Sequence, residues 1–464
     1  MKEKALFNEF DKVSSKAWKQ KIQFDLKGAD YNDSLIWESP EGIKTKPFYN
    51  TDDLEDLESN KLFENTKWNI GQEIFVQDAI RANKKALKIL KQGVESLSFV
   101  IPSKDINIKD LLQTINLEKV PIHFNLQFLS PSYLKKIFDS NDFTNSDIYL
   151  NIDIIGNLAR SGNWFINKEK DHKILDEILT SDWVNQARSI LSIDVSLYQN
   201  AGANMVQQLA YALGHANEYL NHYNNLEHGL KHFQEITFKL AIGPNYFFEI
   251  AKIRALRLLW KTIADAYGLA PDCHIITLPS KRNKTLYDYN VNMLRSTTEC
   301  MAAILGGSNT VQNTAYDSLY HKTNDFGERI AKNQLLIMKH ESYLNKVDNP
   351  VDGTYYIEKL TDQLSQKALM LFKNIEANGG FLRQLKDHTI QKKIKESAQK
   401  EQELFNQKEE ILVGTNKYQN PDDKMGSILE LYPFMKTKKR KTLIEPILEK
   451  RLAEDIEQKR LKDE

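Results

Sequence analysis

Few side chains in this sequence stand where their type and position would predict chemistry. Tyr198 ends one apolar run and Asp317 follows another, and either group could act as a general acid or base at the end of a strand. General acid–base catalysis needs the reacting groups to be within hydrogen-bond reach, and the sequence shows no evident partner for either residue. We therefore interpret both as structural residues.

Two histidines, His228 and His232, lie four residues apart and could share one face of a helix. A metal site needs at least a third protein ligand and supporting hydrogen bonds. Their neighbours include Lys231 and Gln234, which are typical of a solvated surface. We interpret the pair as surface histidines, and the sequence predicts neither a metal site nor a catalytic residue.

The elements that would position a site are strands and helices in alternation. From residue 68 onward, eight short apolar runs are each followed by a helical segment of roughly ten to twenty residues, such as Phe247–Tyr267. This pattern predicts a (β/α)8 barrel, and a doubly wound open sheet is the competing interpretation. The predicted strands are Trp68–Val76, Leu97–Ile101, Ile122–Leu129, Ile148–Ile155, Ile190–Tyr198, Ile236–Ile242, His274–Leu278 and Thr310–Tyr316.

The predicted barrel, residues 68–345, has an N-terminal arm before it, residues 1–67. A helix is predicted near the start of the arm, over about residues 5–27. The arm also carries Trp37, Phe48 and Tyr49, large groups that a solvated linker would not usually hold. Because buried aromatic residues dominate many interfaces, we predict that these three contact a partner.

A C-terminal helical extension, residues 346–464, is predicted to follow the barrel. Its helices are expected over 358–377 and 381–410, with a strand-like piece at 411–414. Gly306-Gly307 has no further glycine at the spacing of a phosphate-binding loop, so we interpret it as a helix end, like Gly379-Gly380.

Composition excludes several classes of protein. Lys+Arg and Asp+Glu both total 63, so the formal net charge is zero, unlike that of a protein that gains affinity for nucleic acid by neutralising phosphates. The longest apolar runs are a few residues, whereas a membrane span needs about 20. The first residues lack the apolar core of a secretory signal. Two cysteines fit a reducing compartment, so we expect a cytoplasmic protein with no nucleic-acid or membrane partner.

Six segments carry distinctive combinations of residues: Trp37–Tyr49, Ala201–Tyr219, Phe247–Trp260, Asn292–Gly307, Asp348–Glu358 and Val413–Tyr418. In that order they resemble the motifs TPEGI-x-VKPLY, QEAGA…EY, EIAKxRAxRxLW, NxxRxTxEAxAAxxGG, DPxGGSYxxE and VGVNxY of the methylmalonyl-CoA mutase family. The resemblance extends from residue 15 to about residue 451. It implies a barrel of the (β/α)8 type and a place in a mutase complex.

The sequence departs from the family pattern in the catalytic segments. Catalytic chains carry RGPYxTMY, whose tyrosine lies in the active site, and here Trp68–Ile74 stands in its place. In the motif SISGYHxQEAGA, aligned without gaps, Ser196 replaces the tyrosine and Leu197 replaces the histidine. The family's HxQTSG strand becomes Ile276–Ser280, without the histidine and glutamine. Arg160 falls at the spacing of a substrate-binding arginine, but the QND that precedes it in the family is missing.

The resemblance also bears on the cofactor. Asp272-Cys273-His274 has the Asp-x-His order of a cobalamin-ligand motif, but the glycine three residues after the histidine is Thr277 here. The family's flavodoxin-like cobalamin domain would begin after the region that ends near Arg451, which leaves the 13 residues from 452 to 464. We therefore expect no cobalamin-binding flavodoxin-like domain and no cofactor bound by this chain.

The resemblance implies the small, non-catalytic subunit of a heterodimeric mutase. Its partner would be the large catalytic subunit, which holds adenosylcobalamin and interconverts methylmalonyl-CoA and succinyl-CoA, and this chain would stabilise that partner by mass action. Two alternatives stay open. One is an active barrel subunit that takes cobalamin from a separate small protein, and the other is a stand-alone binding or assembly module.

A last expectation concerns the barrel axis, along which catalytic mutases thread the pantetheine arm of CoA past small polar side chains. Because strand residues alternate in direction, about half of the apolar residues on the predicted strands should point inward. An apolar interior packed at native density leaves no channel, so we expect a closed axis and no CoA binding. The residues concerned are Val195, Leu197, Phe238, Leu240, Ile276 and Leu278.

Overall fold

The computed structural model describes residues 9, 13–54, 67–141, 143–225, 233, 235–436 and 440–464. The arm begins with helix α1, Ser15–Asp25, which lies within the predicted 5–27 helix; residues 1–8 and 10–12 are outside the described residues. Asp30 caps the second helix by accepting a hydrogen bond from Asn32 N at 2.7 Å. The remaining arm elements are α2 Tyr31–Leu35, the antiparallel strands β1 Trp37–Glu38 and β2 Lys44–Thr45, and a 3₁₀ turn at Thr51–Leu54.

Eight parallel strands close into a barrel in the order β10-β3-β4-β5-β6-β7-β8-β9, as the sequence predicts. The strands are β3 Asn69–Phe75, β4 Ser96–Ile101, β5 Ile122–Leu126, β6 Ile148–Ile152, β7 Ser189–Asp194, β8 Glu235–Ile242, β9 Cys273–Pro279 and β10 Thr310–Gln312. Because the sheet is closed, the open-sheet alternative is wrong. The C-terminal ends of these strands form the open end of the barrel, called the mouth below.

Helices surround the barrel and continue beyond it. They are α3 Ala79–Leu90, α4 Ile108–Leu112, α5 Pro131–Ser140, α6 Ile154–Ser161, α7 Lys168–Leu179, α8 Ser196–Asn200, α9 Met205–Asn224, α10 Tyr246–Ala266, α11 Val291–Leu305, α12 Asp325–His340, α13 Tyr355–Ala377, α14 Phe381–Lys386, α15 Thr389–Gln407 and α16 Glu454–Asp463, with a 3₁₀ turn at Val184–Gln186. Within the described ranges, no helix has the length and apolar character needed to cross a membrane.

Several predicted strands extend too far at their C-terminal ends. The predicted strand Ile148–Ile155 ends at Ile152, because Asp153 caps α6 by accepting a hydrogen bond from Gly156 N at 2.7 Å. The predicted strand Ile190–Tyr198 ends at Asp194, and its last three residues belong to α8. In both places an apolar helix starts almost directly after the strand, so the apolar run continues through the boundary. The strand ends predicted at Leu129 and Tyr316 fall at Leu126 and Gln312.

The C-terminal extension contains the predicted helices, with one division and one error. The predicted helix 381–410 is divided into α14 and α15 at His388, whose φ is +60°, in the left-handed region. The strand-like piece at 411–414 is not a strand: it forms a single bridge, between Val413 and Lys417. The glycine pairs end α11 and α13 as expected, with Gly307 at φ +91° and Gly379 at φ +98°.

The barrel interior is more polar than the sequence predicts. Phe238 lies 5.5 Å from the ring of Trp260 on α10, so it points outward to the helices, and Leu240 shares its face of β8. Lys239 therefore points inward, where its Nζ lies 3.7 Å from Glu73 of β3. Val195 and Leu197 lie outside the strands. These four residues therefore do not fill the interior, where about half of the six were expected to point. On β9, Ile276 and Leu278 do point inward, because they share a face with His274, whose ring contacts β5 and β6.

Three aromatic rings fill the lower part of the barrel interior. His123 stacks on Tyr149 at 4.3 Å, and His274 lies 5.1 Å from His123 and 4.3 Å from Tyr149. Burial lowers the pKa of His123 to about 3, so it is uncharged at neutral pH. A chain threaded along the axis would have to displace this layer of rings, named the ring layer below.

Glu235, at the start of β8 near the ring layer, should make stability depend on pH. Burial raises its pKa from 4.5 to about 7, and Arg188 opposes that rise only in part. A carboxyl whose pKa is raised by folding stabilises the native state below pH 4.5, and that stability is lost as the pH rises towards 7. We expect Glu235→Gln to be more stable than the wild type at pH 8, by up to about 3 kcal/mol, in urea unfolding, and indistinguishable from it at pH 4.5.

The matched control is Glu118→Gln, which changes an exposed acid. It should leave the difference in unfolding free energy between pH 4.5 and pH 8 as in the wild type. Equal pH dependence in Glu235→Gln and the wild type would contradict the prediction.

Candidate functional site

Six charged side chains meet at the barrel mouth and form three ion pairs. Glu73 lies 3.7 Å from Lys239, Arg160 Nη2 lies 2.6 Å from Asp194, and Lys281 Nζ lies 3.3 Å from Glu449. Three acids and three bases therefore neutralise each other. Since the three anions already lie beside the three cations, a charged substrate would have to compete with internal partners.

Asp194, the last residue of β7, is the most strongly held of these acids. Its Oδ1 accepts hydrogen bonds from the hydroxyl and from the backbone N–H of Ser196, the latter at 3.2 Å. Burial would raise the pKa of Asp194, but Arg160 and Lys239 outweigh burial and hold it below its usual value. In the same way burial would lower the pKa of Lys239, and the carboxylates of Glu73 and Asp194 raise it instead. The charges of Asp194 and Lys239 are therefore present at neutral pH.

Tyr198 does not face the mouth. Its hydroxyl bonds to His215 Nδ1 at 2.9 Å, and His215 Nε2 bonds to Asp153 Oδ1 at 2.9 Å. Tyr219 donates to the same carboxylate oxygen at 2.8 Å. The side chain is fully buried, and burial raises the pKa of Tyr198 well above its usual value. These partners are not evident from the sequence, because Tyr198 and Asp153 are 45 residues apart in the chain and only the fold brings them together.

Asp317 is a structural residue that binds its own turn. Its Oδ2 accepts a hydrogen bond from Asn324 Nδ2 at 2.8 Å and lies 3.2 Å from His321 Nδ1. It therefore fixes the chain between β10 and α12. The structural interpretation given to Tyr198 and Asp317 fits these contacts.

Ser196 and Leu197, where the resemblance places a tyrosine and a histidine, are both buried in α8. Ser196 binds Asp194, and Leu197 is 1% exposed within the hydrophobic core. Leu197 has no polar group and the hydroxyl of Ser196 already donates to Asp194, so neither replaces the tyrosine and histidine of the motif. In the part of the chain that the structure describes, no group of three or more His, Cys, Asp or Glu side chains could hold a metal ion. His228 and His232 lie outside the described residues.

His274 does not fit cobalt ligation. Its ring is part of the ring layer, and its Nε2 lies 3.2 Å from Thr310 Oγ1. A cobalamin that reached it would have to enter the packed barrel interior. Cys273, its neighbour, is buried, and burial raises the pKa of its thiol to about 12, so the thiolate is absent at neutral pH.

The three aromatic residues of the arm occupy different environments. Tyr49 packs on Tyr356 of α13 at 5.0 Å, and Phe48 contacts Trp18 of α1 edge-on at 6.0 Å. Trp37 meets Phe248 of α10 at 5.7 Å and stays 50% exposed beside a cleft of about 680 Å³ between the arm, α9 and α15. In this chain only Trp37 of the three presents a large free surface.

Comparison with known proteins identifies the family. The family model for methylmalonyl-CoA mutase matches residues 104–462. The methylmalonyl-CoA mutase small subunit of Porphyromonas gingivalis is 32% identical over 92% of this chain and 73% of its own length. This chain belongs to the methylmalonyl-CoA mutase family. A methylmalonyl-CoA mutase of Cereibacter sphaeroides is 28% identical over 89% of this chain and 66% of its own length, so the chain spans just under two thirds of that relative.

The large subunit of the Porphyromonas gingivalis mutase is also similar, with 34% identity over 52% of this chain and 34% of the large subunit. This chain therefore resembles both kinds of mutase subunit.

The mutase-like segments of this chain build its framework. On α10, Lys252 Nζ donates to Gln199 Oε1, Gln208 Oε1 and the carbonyl of Ala241, each at 2.9 Å, and lies 2.5 Å from Glu249. All of these contacts are buried. Lys252 lies in the mutase-like segment Phe247–Trp260, so this part of the resemblance is carried by a residue that positions elements.

Proposed function

We propose that this chain is the small, non-catalytic subunit of a heterodimeric methylmalonyl-CoA mutase whose large subunit holds adenosylcobalamin and performs the isomerisation. The observation that carries the proposal is the mouth: Ser196 and Leu197 are buried where the family motif has its tyrosine and histidine, and the charged groups pair with each other. Among the described residues, the six charged groups of the mouth already have internal partners, and such a mouth does not favour acyl-CoA rearrangement.

The names of the relatives support a subunit of this kind. Small subunits from Porphyromonas gingivalis and Streptomyces virginiae match over 92% and 89% of this chain, and a large subunit matches over 52%. Homologous subunits tend to pair about a pseudo-twofold axis. The role left for a chain without chemistry at its mouth is to stabilise its partner through the shared interface.

Trp37 is the arm residue best placed for that interface. Half of its surface is exposed, and large exposed aromatic groups are enriched among the residues that dominate interface energies. Phe48 and Tyr49 would act indirectly, because their rings pack on Trp18 and Tyr356 and hold the arm in position.

One observation favours the second candidate, an active barrel subunit served by a separate cobalamin protein. The barrel interior carries small polar groups of the kind that line a pantetheine path: Gln312 Nε2 donates to Ser98 Oγ at 2.7 Å, and Asn151 Nδ2 donates to Asn125 Oδ1 at 2.8 Å. The ring layer opposes it, since three packed rings close the lower part of the axis. Calorimetric titration of the lone chain with methylmalonyl-CoA separates the two, and a dissociation constant below about 100 µM would favour the active subunit.

Expression of the chain alone and together with the large mutase subunit of its own source organism tests the proposal. We expect the lone chain to retain no cobalamin spectrum through gel filtration and to show no mutase activity. The co-expressed pair should elute as one heterodimer with activity. Cobalamin retained by the lone chain would contradict the proposal. A pair in which neither subunit is more stable than it is alone would contradict it too.

The same co-expression measures the part played by the arm. Trp37→Ala should lower the yield of the co-purified pair, and the matched control Tyr418→Ala, which removes an aromatic group 72% exposed elsewhere on the surface, should not. Equal yields for both variants would show that Trp37 does not contribute to the interface. They would not contradict the heterodimer itself.

A further inference from the structure

The side chain of Asp194 is held in the way that a bound carboxylate would be. Its Oδ2 accepts a hydrogen bond from Arg160 Nη2 at 2.6 Å, and its Oδ1 accepts two hydrogen bonds from Ser196. Lys239 and Lys281 add positive potential at the same place. The donors and cations come from α6, α8, β8 and the loop after β9, so four separate parts of the barrel mouth converge on one carboxylate.

We propose that the mouth contains a carboxylate-binding site that the chain fills with its own Asp194, and that a small carboxylate binds there when this side chain is shortened. The planar guanidinium of Arg160 is suited to a carboxylate, and a charge-assisted hydrogen bond of this kind is among the stronger ones. The inference goes beyond the proposed function, because it concerns this chain alone and holds whether or not a partner binds.

The site is open to a ligand from solvent. The side chain of Arg160 is 45% exposed and that of Asp194 is 26% exposed, so the anion position lies at the accessible rim of the barrel and not in its core. Asp194 is attached to the strand end, and this covalent attachment gives it a high effective concentration at the site. A free carboxylate at millimolar concentration cannot displace such a tethered group.

Glu449 is a second internal carboxylate near the same cations. It lies 4.0 Å from Arg160 Nη1 and 3.3 Å from Lys281 Nζ, and its Oε1 accepts a hydrogen bond from Asn200 Nδ2 at 3.0 Å. If Asp194 were removed, Glu449 would be the nearest group able to take its place. A test of the site therefore includes a background in which both carboxylates are changed.

The experiment is calorimetric titration of the full chain with malonate. We expect no binding by the wild type. We expect a dissociation constant of about 1 mM for Asp194→Ser, or for Asp194→Ser/Glu449→Gln if Glu449 fills the site in the single variant. Adding Arg160→Gln to the variant that binds should weaken binding at least tenfold. The control Asp139→Ser, which removes one acid of an exposed Lys135 pair, should behave as the wild type.

Thermal melting shows which variants are folded, and Asp194→Asn supplies a background of nearly unchanged size. In that variant Arg160 loses its counter-charge, so malonate should bind, although more weakly than to the serine variant. Absence of binding in every folded variant would overturn the proposal. Binding that survives Arg160→Gln, or that is equally strong in the wild type, would overturn it too.

Discussion

Replacing Arg254 by methionine is expected to lower the free energy of unfolding by about 3 kcal/mol. Arg254 is a fully buried residue of α10 whose guanidinium holds the start of the C-terminal extension. It donates to Asn349 Oδ1 at 2.7 Å, to Glu358 Oε1 at 2.6 Å and to Asp352 Oδ1 at 3.2 Å. The two carboxylates keep some access to water, so the cost of leaving them unpaired is at the low end for buried pairs.

Urea unfolding with Arg383→Met as the matched control measures this effect. Arg383 pairs with Asp387 on the surface and is 71% exposed, so its loss should cost well under 1 kcal/mol. Limited proteolysis should cut Arg254→Met faster than the control within residues 346–358, because Arg254 fixes that segment. Equal stability of the two variants would show that the extension is held mainly by the apolar contacts of α13.

The barrel was predictable from the sequence because its strands are short apolar runs at regular spacing. The direction in which individual side chains point was not predictable. Phe238 and Lys239 are neighbours on β8, and which of them faces the interior depends on the pairing of β8 with β7 and β9. The hydrophobicity of Phe238 suggested the interior, but a (β/α)8 strand is buried on both faces, and its outer face is apolar because the helices pack against it.

The long-range partners of charged residues could not be predicted from the sequence either. Arg254 and Glu358 are 104 residues apart, and Tyr198 meets Asp153 only through His215 of α9. The resemblance did mark the segments that contain several of these residues, such as the helix motif with Arg254. Sequence reasoning could therefore find the framework segments, but the pairing within them follows from the closed barrel.

The mouth shows how the charged groups of a barrel of this family can be paired with each other inside one chain. Its acids and bases come from the strands, from α6, from the loop after β9 and from the C-terminal extension, and each lies beside an opposite charge at 2.6–3.7 Å. Glu73–Lys239 links the non-adjacent strands β3 and β8, Arg160–Asp194 ties α6 to the end of β7, and Lys281–Glu449 ties the loop after β9 to the C-terminal extension, which is a structural task. The family motif SISGYHxQEAGA has a serine at its third position. This chain has Asp194 there, and that carboxylate gives Arg160 an internal partner.

A second large effect is expected at the buried pair of Lys284 and Glu299, in which Nζ lies 2.7 Å from Oε2 and the side chains are only 8% and 1% exposed. Burial lowers the pKa of Lys284 and raises that of Glu299, each against the attraction of the other, so desolvation outweighs their mutual stabilisation. Removing one partner leaves a buried charge unpaired. We therefore expect Lys284→Met and Glu299→Met each to cost about 3–5 kcal/mol of unfolding free energy.

The double variant is expected to be more stable than either single variant, within about 2 kcal/mol of the wild type, because two methionines of similar volume bury no charge. The remaining cost is that of Asn283 Nδ2 and the carbonyl of Ser280, which lose their partners Glu299 and Lys284. Chemical unfolding of the four proteins gives the coupling energy directly. Additive losses would mean that the two charges act independently, and the loop after β9, which carries Lys281 to the mouth, would then be held by Arg282 and its contacts with Glu401 and the Lys450 carbonyl instead.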